Sequence, residues 1–478
     1  MEIQDDHEED QEHLMADSSR SNQNSTQIMD VKEIASSIRE KFSQTYRLPS
    51  SSRHCSIFRV PNMLRRHSEK AFMPEVVSIG PFHHENTQLQ AMEIIKQHYL
   101  ECLIYRAGTT ELECLVKAIQ SIEQDCRECY SEVVDLSSKK FIEMMLIDGC
   151  FILEFLYRYQ CIYVERDEEP RHEILIELKD GEDNDPVFKT SWMPRKIIAD
   201  LLLLENQLPW CVLDCLFNRI KSTGAYLSIP AVESLVDAPF LEFRMFRMRN
   251  GNPPNGTHKH LLDCFRAQLV ESCTIKLPQL RGCADRWEKA LQWKPISSVT
   301  ELSDYKVYFF RARDGGSILD VMFEDGKMRI PEIVIEEDTE SLFRNLIAFE
   351  NCDPSMGTQV TSYATLLACL IRSPADALLL KKKHILQICL SNEDDTASFL
   401  KRLIYNNHTC IHHGFLYSDL RRDLSLFQSR AREIYKATLR RDYNLRDPTT
   451  FITVVYGIAF SLFLGILQTI FAILSYFK

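Results

Sequence analysis

Two carboxylates stand where a carboxylate is expensive. Asp148 lies in the run M-M-L-I-D-G-C-F-I-L-E-F, and Glu205 lies in L-L-L-L-E-N-Q-L-P-W. Burying either acid disfavours its charged form and raises its pKa unless donors surround it. Two such acids with an imidazole are raw material for general acid–base chemistry. His83-His84, just after Pro81, supplies the imidazole. The competing reading is architectural: each acid bonds backbone N–H groups, or an arginine such as Arg59 or Arg195, and pins helix packing. No nucleophile, phosphate loop or metal set accompanies the two acids, so packing is the leading expectation. Adjacent histidines diverge in a strand or turn and seldom share a metal. His83-His84 is therefore expected to stabilise a turn through imidazole hydrogen bonds.

The cysteines give less. Cys126-Arg127-Glu128-Cys129 has the C-x₂-C spacing of a zinc knuckle or a redox pair. No second pair follows at finger spacing, and the surroundings are helical rather than βαβ. Cys211 and Cys215, four apart in an apolar helix, read as small core residues. The sequence has no G-x-S-x-G, Walker, G-x-G-x-x-G or H-E-x-x-H motif. The acidic run 180–185 lacks the closing Glu of a calcium loop. No catalytic, cofactor-binding or metal residue is assigned, and no cofactor is expected.

The elements that must position these residues are mostly helical. Residues 1–30 are polar and acidic at the start, composing a disordered leader. An amphipathic helix fits 31–42, with Val31, Ile34, Ala35, Ile38 and Phe42 on one face. Pro61, Pro74 and Pro81 punctuate extended segments and turns. Helices are predicted from residue 88 onward, then over 111–130, 138–160 and 192–222, with two more beginning near Lys259 and near Ile385. The segment 165–186 reads as an exposed acidic loop with a short strand over 173–178. Within 305–335 three β-rich runs, 306–311, 317–323 and 327–335, are separated by Gly315-Gly316 and by Asp325-Gly326, a hairpin signal. Apolar residues from 416 to 443 predict a long amphipathic helix. No repeat period appears.

The last stretch, 451–477, holds no charged side chain. As a helix at about 1.5 Å per residue it exceeds the ~30 Å hydrocarbon core. Arg432, Lys436, Arg440, Arg441 and Arg446 precede it, and Lys478 alone follows. By the positive-inside rule the preceding side is cytosolic. The absence of an apolar stretch near the N-terminus and sixteen cysteines at no framework spacing point to reduced thiols in the cytosol. Three sequons, at Asn24, Asn255 and Asn407, matter only on a lumenal face. A net charge of −12 without a basic stripe argues against nucleic acid as a partner. An apolar share of 45% supports a sizeable core.

Ordered blocks along the chain resemble the plant domain-of-unknown-function 247 family, also called uncharacterised protein family 0481. They are V-P-N-M-L over 60–64, S-I-G-P-F-H-H over 78–84, Met92-Glu93 with Lys96, and D-G-C-F-I-L-E over 148–154. L-L-E-N-Q-L-P over 203–209 is the most distinctive. Ile330-Pro331, F-R-N-L-I-A-F-E over 343–350, V-T-S-Y over 360–363 and Gln468-Thr469 complete the set, so the likeness runs from about 55 to 475. The segment 279–285 departs from the pattern, with Cys283 where an aliphatic is usual, and Arg446-Asp447-Pro448 lacks the usual Pro-Trp. The resemblance implies a plant protein with a shared helical fold and a C-terminal membrane segment. It leaves the activity open.

The expectation is a mainly α-helical cytosolic body over 31–445, with the acidic loop 165–186, a small β-sheet near 305–335 and one transmembrane helix at 451–477. The leading function is a membrane-tethered interaction or signalling protein without catalysis. The alternative is an enzyme using Asp148, Glu205 and His83 or His84. The expected partners are the lipid bilayer through 451–477 and proteins of unknown identity. A homodimer through the small-residue stripe Gly457, Ser461, Gly465 and Thr469 completes the set.

Overall fold

This computed structural model describes residues 35–40, 55–66, 68–107, 111–163, 185–224, 226, 229–243, 258–277, 294–312, 316–389, 414–442 and 448–476. The leader 1–30, the strand expected over 173–178, the three sequons and the segment 279–285 lie outside the described residues, as does the acidic loop up to residue 184. The first described helical residues, 35–40, leave Ile38 exposed rather than on a buried face.

The body forms around the helix Ser138–Tyr163, which is buried on nearly every side. A helix with so little exposed face must be surrounded. The helices Gln90–Ala107, Glu111–Ser121, Trp210–Lys221 and Glu233–Phe240 pack against it. Gly149 sets one of these distances. A Cβ there would lie 2.5 Å from Leu216 Cδ1 and 3.2 Å from Val212 Cγ1, so the absent side chain lets Trp210–Lys221 come close. On another side Tyr99, Phe151, Phe155 and Phe188 stack in sequence, with ring centroids 5.4, 6.1 and 5.6 Å apart.

The helix expected without interruption over 192–222 is instead two, Met193–Leu201 and Trp210–Lys221. The leucines between them suit a helix, but the two amides of the block break it. Gln207 Nε2 donates to the carbonyls of Leu201 and Leu203 at 2.6 and 2.8 Å. Asn206 Nδ2 donates to the Asp200 carbonyl at 3.0 Å. Carbonyls that a continuing helix would use are thus taken by side chains. Pro209, which lacks an N–H, then precedes the first turn of the second helix.

The second half adds the helices Leu261–Glu271, Thr339–Cys352, Gln359–Leu370 and Pro374–Lys382. The last three were not anticipated from the sequence. Strand β1 (Tyr308–Arg311) pairs in parallel with β3 (Lys327–Ile330), and β2 (Met322–Glu324) pairs antiparallel with β3. Asp325 and Gly326, at φ 47° and 76°, form the hairpin turn between β2 and β3, as their types predict. The run 317–323 contributes a strand only at its end, and 327–335 splits at Pro331-Glu332 into β3 and β4 (Ile333–Ile335). No helix begins at Ile385. His384 takes φ 56° and the chain enters β5 (Leu386–Ile388), which pairs in parallel with β4.

The helix Ser418–Asp442 buries Leu420 and Leu424 and sets Phe427 edge-on to Phe323, then leaves the body with Ile434 and Tyr435 exposed. The terminal helix Pro448–Tyr476 follows. Its segment Val455–Ile473 is long and apolar enough to cross a membrane, and none of it is buried.

Candidate functional site

The predicted acids and the first histidine meet around a single turn. Residues 78–84 run past the non-helical loop 202–209, and Ile79 N donates to Asn206 Oδ1 at 2.7 Å while Asn206 Nδ2 donates to Val77 O at 3.0 Å. Gly80 has φ +70°, and a Cβ there would stand 2.6 Å from the Gln207 carbonyl. Only glycine permits that approach. The Gly80 N–H donates to Asp148 Oδ2 at 2.8 Å. Lys96, fully buried, donates to Asp148 Oδ1 and to Glu93 Oε1, both at 2.7 Å, and also to the Ser78 carbonyl. Burial would lower the Lys96 pKa, but Asp148 and Glu93 outweigh it and the ammonium is held more firmly than usual. Both Asp148 oxygens are thus engaged, one by a backbone N–H as expected and the other by a lysine rather than the arginine suggested.

Glu205 is different. Its Oε1 accepts from Val60 N at 2.6 Å and from Arg65. Its Oε2 has no hydrogen bond and lies 3.6 Å from His83 Nε2 and 3.8 Å from Arg59 Nη1. His83 Nε2 is equally unbonded, so the expected imidazole bond from that atom is missing. Burial pushes the His83 pKa down to about 4; Glu205 opposes this and Arg59 and Arg65 add to it. The ring is neutral near pH 7. Arg59 covers Phe82, with its guanidinium carbon 4.5 Å from the ring centroid, and reaches Glu132 at 2.9 Å. His84 is half-buried, and its Nδ1 is a further shielded ring nitrogen without a hydrogen bond. Arg195, the other suggested partner, binds Glu336 and Asp338 instead.

Further buried acids, which sequence reasoning missed, follow the Asp148 pattern. Glu154 accepts from Arg106, Arg158 and Tyr226. Asp200 accepts from the successive N–H groups of Glu75, Val76 and Val77 at 2.9, 2.7 and 2.9 Å, while burial pushes its pKa up to about 7 against those donors. Asp200 also lines a cleft of about 160 Å³ with Lys70, Lys196 and Asp338. Glu350 accepts from Arg266 Nε and Nη2 at 3.0 and 2.8 Å, from Val360 N and from Thr361 N and Oγ1. Asn345 Oδ1 takes the Leu204 N–H at 2.8 Å. The available signal was the blocks themselves: Lys96, Glu154, Asn206, Gln207, Asn345 and Glu350 all lie within them. Among the described residues no group of three or more His, Cys, Asp or Glu side chains is arranged to hold a metal ion.

Blocks far apart in the chain thus join through buried polar clamps, and the same span matches the family DUF247, described as a plant protein of unknown function, over residues 57–463. The chain belongs to that family. It is similar to the UPF0481 protein At3g47200 of Arabidopsis thaliana, 27% identical over 374 residues, which cover 73% of this chain and 72% of the relative. It is also similar to the putative UPF0481 protein At3g02645 of Arabidopsis thaliana, 24% identical over 409 residues, covering 72% and 76% respectively. No solved structure matches the chain. For this DUF247 member the clamps, rather than one cleft, account for most of the polar residues in the quoted blocks.

Proposed function

We propose that this chain is a membrane-tethered interaction protein without catalysis, its clamped helical body held at the bilayer by the terminal helix. The observation that carries the tether is the exposure of Val455–Ile473 along its whole apolar length. An apolar helix of this size in water would be a severe liability, and lipid is the solvent that suits it. The helix Pro448–Tyr476 spans about 43 Å at 1.5 Å per residue, enough to cross with some tilt. Arg432, Lys436, Arg440, Arg441 and Arg446 favour a cytosolic body. The interaction reading is supported by the saturation of Asp148, Glu154, Asp200 and Glu350, each by its own set of donors. The test is protease protection of the full chain in sealed microsomes with an N-terminal tag. Digestion of the tag with the chain retained after alkaline extraction is expected. A protected body bearing sugar on Asn255 or Asn407 overturns the orientation, and loss of the chain on extraction overturns the tether.

One observation favours the second reading, an enzyme with a buried carboxylate–histidine site. Glu205 Oε2 and His83 Nε2 face each other at 3.6 Å, both unbonded, and acid–base catalysis uses such spare capacity. In that reading Asp148 fixes the Gly80 turn that carries His83. Proximity labelling in plant cells separates the two. A stable partner set that survives Glu205→Gln supports the interaction protein, and a metabolite change on the same substitution supports the enzyme.

A further inference from the structure

Cys126 and Cys211 lie 85 residues apart in the chain, yet their sulfurs stand 3.8 Å apart, in van der Waals contact. Their settings differ in a useful way. Cys211 is exposed and is the second residue of Trp210–Lys221. The N-cap of that helix, Pro209, offers no side-chain bond to the first-turn N–H groups. A sulfur there meets the positive end of the helix dipole, which favours thiolate. Cys126 is fully buried on the short helix Glu123–Glu128, and Cys129 follows at the end of the same helix. The Cys211 thiol is held well below the ordinary range, first by the Cys126 thiol beside it and then by the opening N–H groups of its helix, against burial, while the Cys129 thiol donates to the Asp125 carbonyl at 3.3 Å. One accessible thiolate thus rests against one shielded thiol.

We propose that Cys211 and Cys126 are a peroxide-reactive thiol pair, with Cys211 the attacking sulfur, Cys126 the resolving one and a hydroperoxide the oxidising substrate. The Cys211 thiolate attacks the terminal peroxide oxygen. An S–O bond forms, the O–O bond breaks, and the leaving alkoxide or hydroxide takes up a proton. Cys126, giving up its proton, then attacks the Cys211 sulfur. An S–S bond forms, the S–O bond breaks, and hydroxide leaves with that proton as water. The sum is two thiols and one hydroperoxide giving one disulfide, one alcohol or water and one further water. The sulfurs must close from 3.8 Å to the roughly 2.0 Å of a disulfide.

The product would cross-link two neighbours of the candidate site. The carbonyl of Cys129 accepts the N–H groups of Ser56 and Ile57, both at 2.9 Å, and Tyr130 donates to the Gln207 carbonyl at 3.1 Å. Oxidation would therefore fasten the 126–130 turn to the helix that begins just after the 202–209 loop, beside Glu205.

The full chain in detergent, fully reduced and treated with one equivalent of hydrogen peroxide, tests this by peptide mapping without reductant. A linked Cys126–Cys211 peptide is expected. Cys211 should also alkylate about tenfold faster than Cys389, another exposed thiol, at mildly acidic pH. In the double variant Cys126→Ser/Cys129→Ser the oxidised Cys211 should persist as a sulfenic acid trapped by dimedone. Equal reactivity of Cys211 and Cys389 overturns the proposal, as does a linkage that omits Cys211. Stoichiometric zinc retained by the reduced wild-type chain, with these thiols shielded from alkylation, also overturns it, in favour of a metal site.

Discussion

Glu350 and Glu205 are both fully buried carboxylates facing arginine, and they end up in opposite conditions. Each Glu350 oxygen is engaged: Oε1 by Arg266 and Val360 N, Oε2 by the Thr361 N–H and hydroxyl. Glu205 engages one oxygen and leaves the other facing an unbonded imidazole. A saturated carboxylate has nothing to offer a ligand. Its energy is spent on joining Thr339–Cys352 to the start of Gln359–Leu370. The Glu205 corner holds its fold with half of its acceptors, and the rest is capacity for something else. The contrast locates where function can reside more sharply than burial does, since both acids are equally buried.

The largest effect is expected where saturation is complete. Glu350→Ala leaves Arg266, itself only 5% exposed, without its carboxylate. Breaking such a pair costs on the order of 3–5 kcal/mol. The melting temperature of the full chain in detergent measures it. A loss below about 1 kcal/mol would show that the clamp is redundant and that saturation is no sign of structural work.

The second test is pH. His83 is near 6.5 in the unfolded chain and about 4 in the fold. Above pH 6.5 both states are neutral and His83 contributes no pH dependence. Between 6.5 and 4 the unfolded chain binds the extra proton, so stability falls as pH falls, by up to about 3 kcal/mol. His260, also lowered to about 4 by burial, behaves alike. Wild type should therefore lose more stability than His83→Gln across this window, as read by denaturant melts at pH 7 and pH 4.5. Parallel curves would mean that His83 protonates freely in the fold and that its neighbourhood is not closed.

The third test is Glu205→Ala. It removes the acceptor for Val60 N but leaves Arg65 and Arg59 partly exposed and able to turn to water, with side-chain exposures of 19% and 44%. A loss of roughly 2 kcal/mol is expected, less than at Glu350. A loss equal to that of Glu350→Ala would erase the distinction between the two corners. Unchanged stability with lost biological activity would instead make Glu205 a functional carboxylate.

How much of this was legible in the sequence follows from how local each cause is. The cost of Asp148 in an apolar run is local, so its burial and its need for donors could be read directly. Its partner Lys96 is 52 residues away and could not. The Asp325-Gly326 turn was legible because its φ requirement belongs to those two residues. The break at 202–209 was not, because the leucines vote for helix and the amides that overrule them act through carbonyls of the folded loop. Strand β5 was hidden likewise, since Leu386–Ile388 is a strand only because β4 lies beside it. Cys211 passed as a core residue for the same reason. Its exposure and its contact with Cys126 are properties of the assembled helices.

The contrast between filled and open recurs among the glycines, and it frames the smallest effect. At Gly149 a helix already occupies the space that a side chain would need. At Gly457 and Gly465 an added Cβ would meet nothing within 4 Å. With Ser461 and Thr469 these glycines repeat every four residues, so they stack on one face of the terminal helix. The hydroxyls do not stand ready for a neighbour: Ser461 donates to the Gly457 carbonyl at 2.9 Å and Thr469 to the Gly465 carbonyl at 2.8 Å. Any self-association through this face must then rest on close backbone approach more than on new hydrogen bonds, a modest gain of roughly 1 kcal/mol. A bacterial membrane-association reporter carrying 451–477 reads it. Gly465→Ile should lower the signal about fivefold, because the branched side chain keeps two backbones apart. Phe463→Leu, off the stripe, should leave the signal unchanged. If both variants match wild type, the open glycines reflect composition alone and this face carries no self-association.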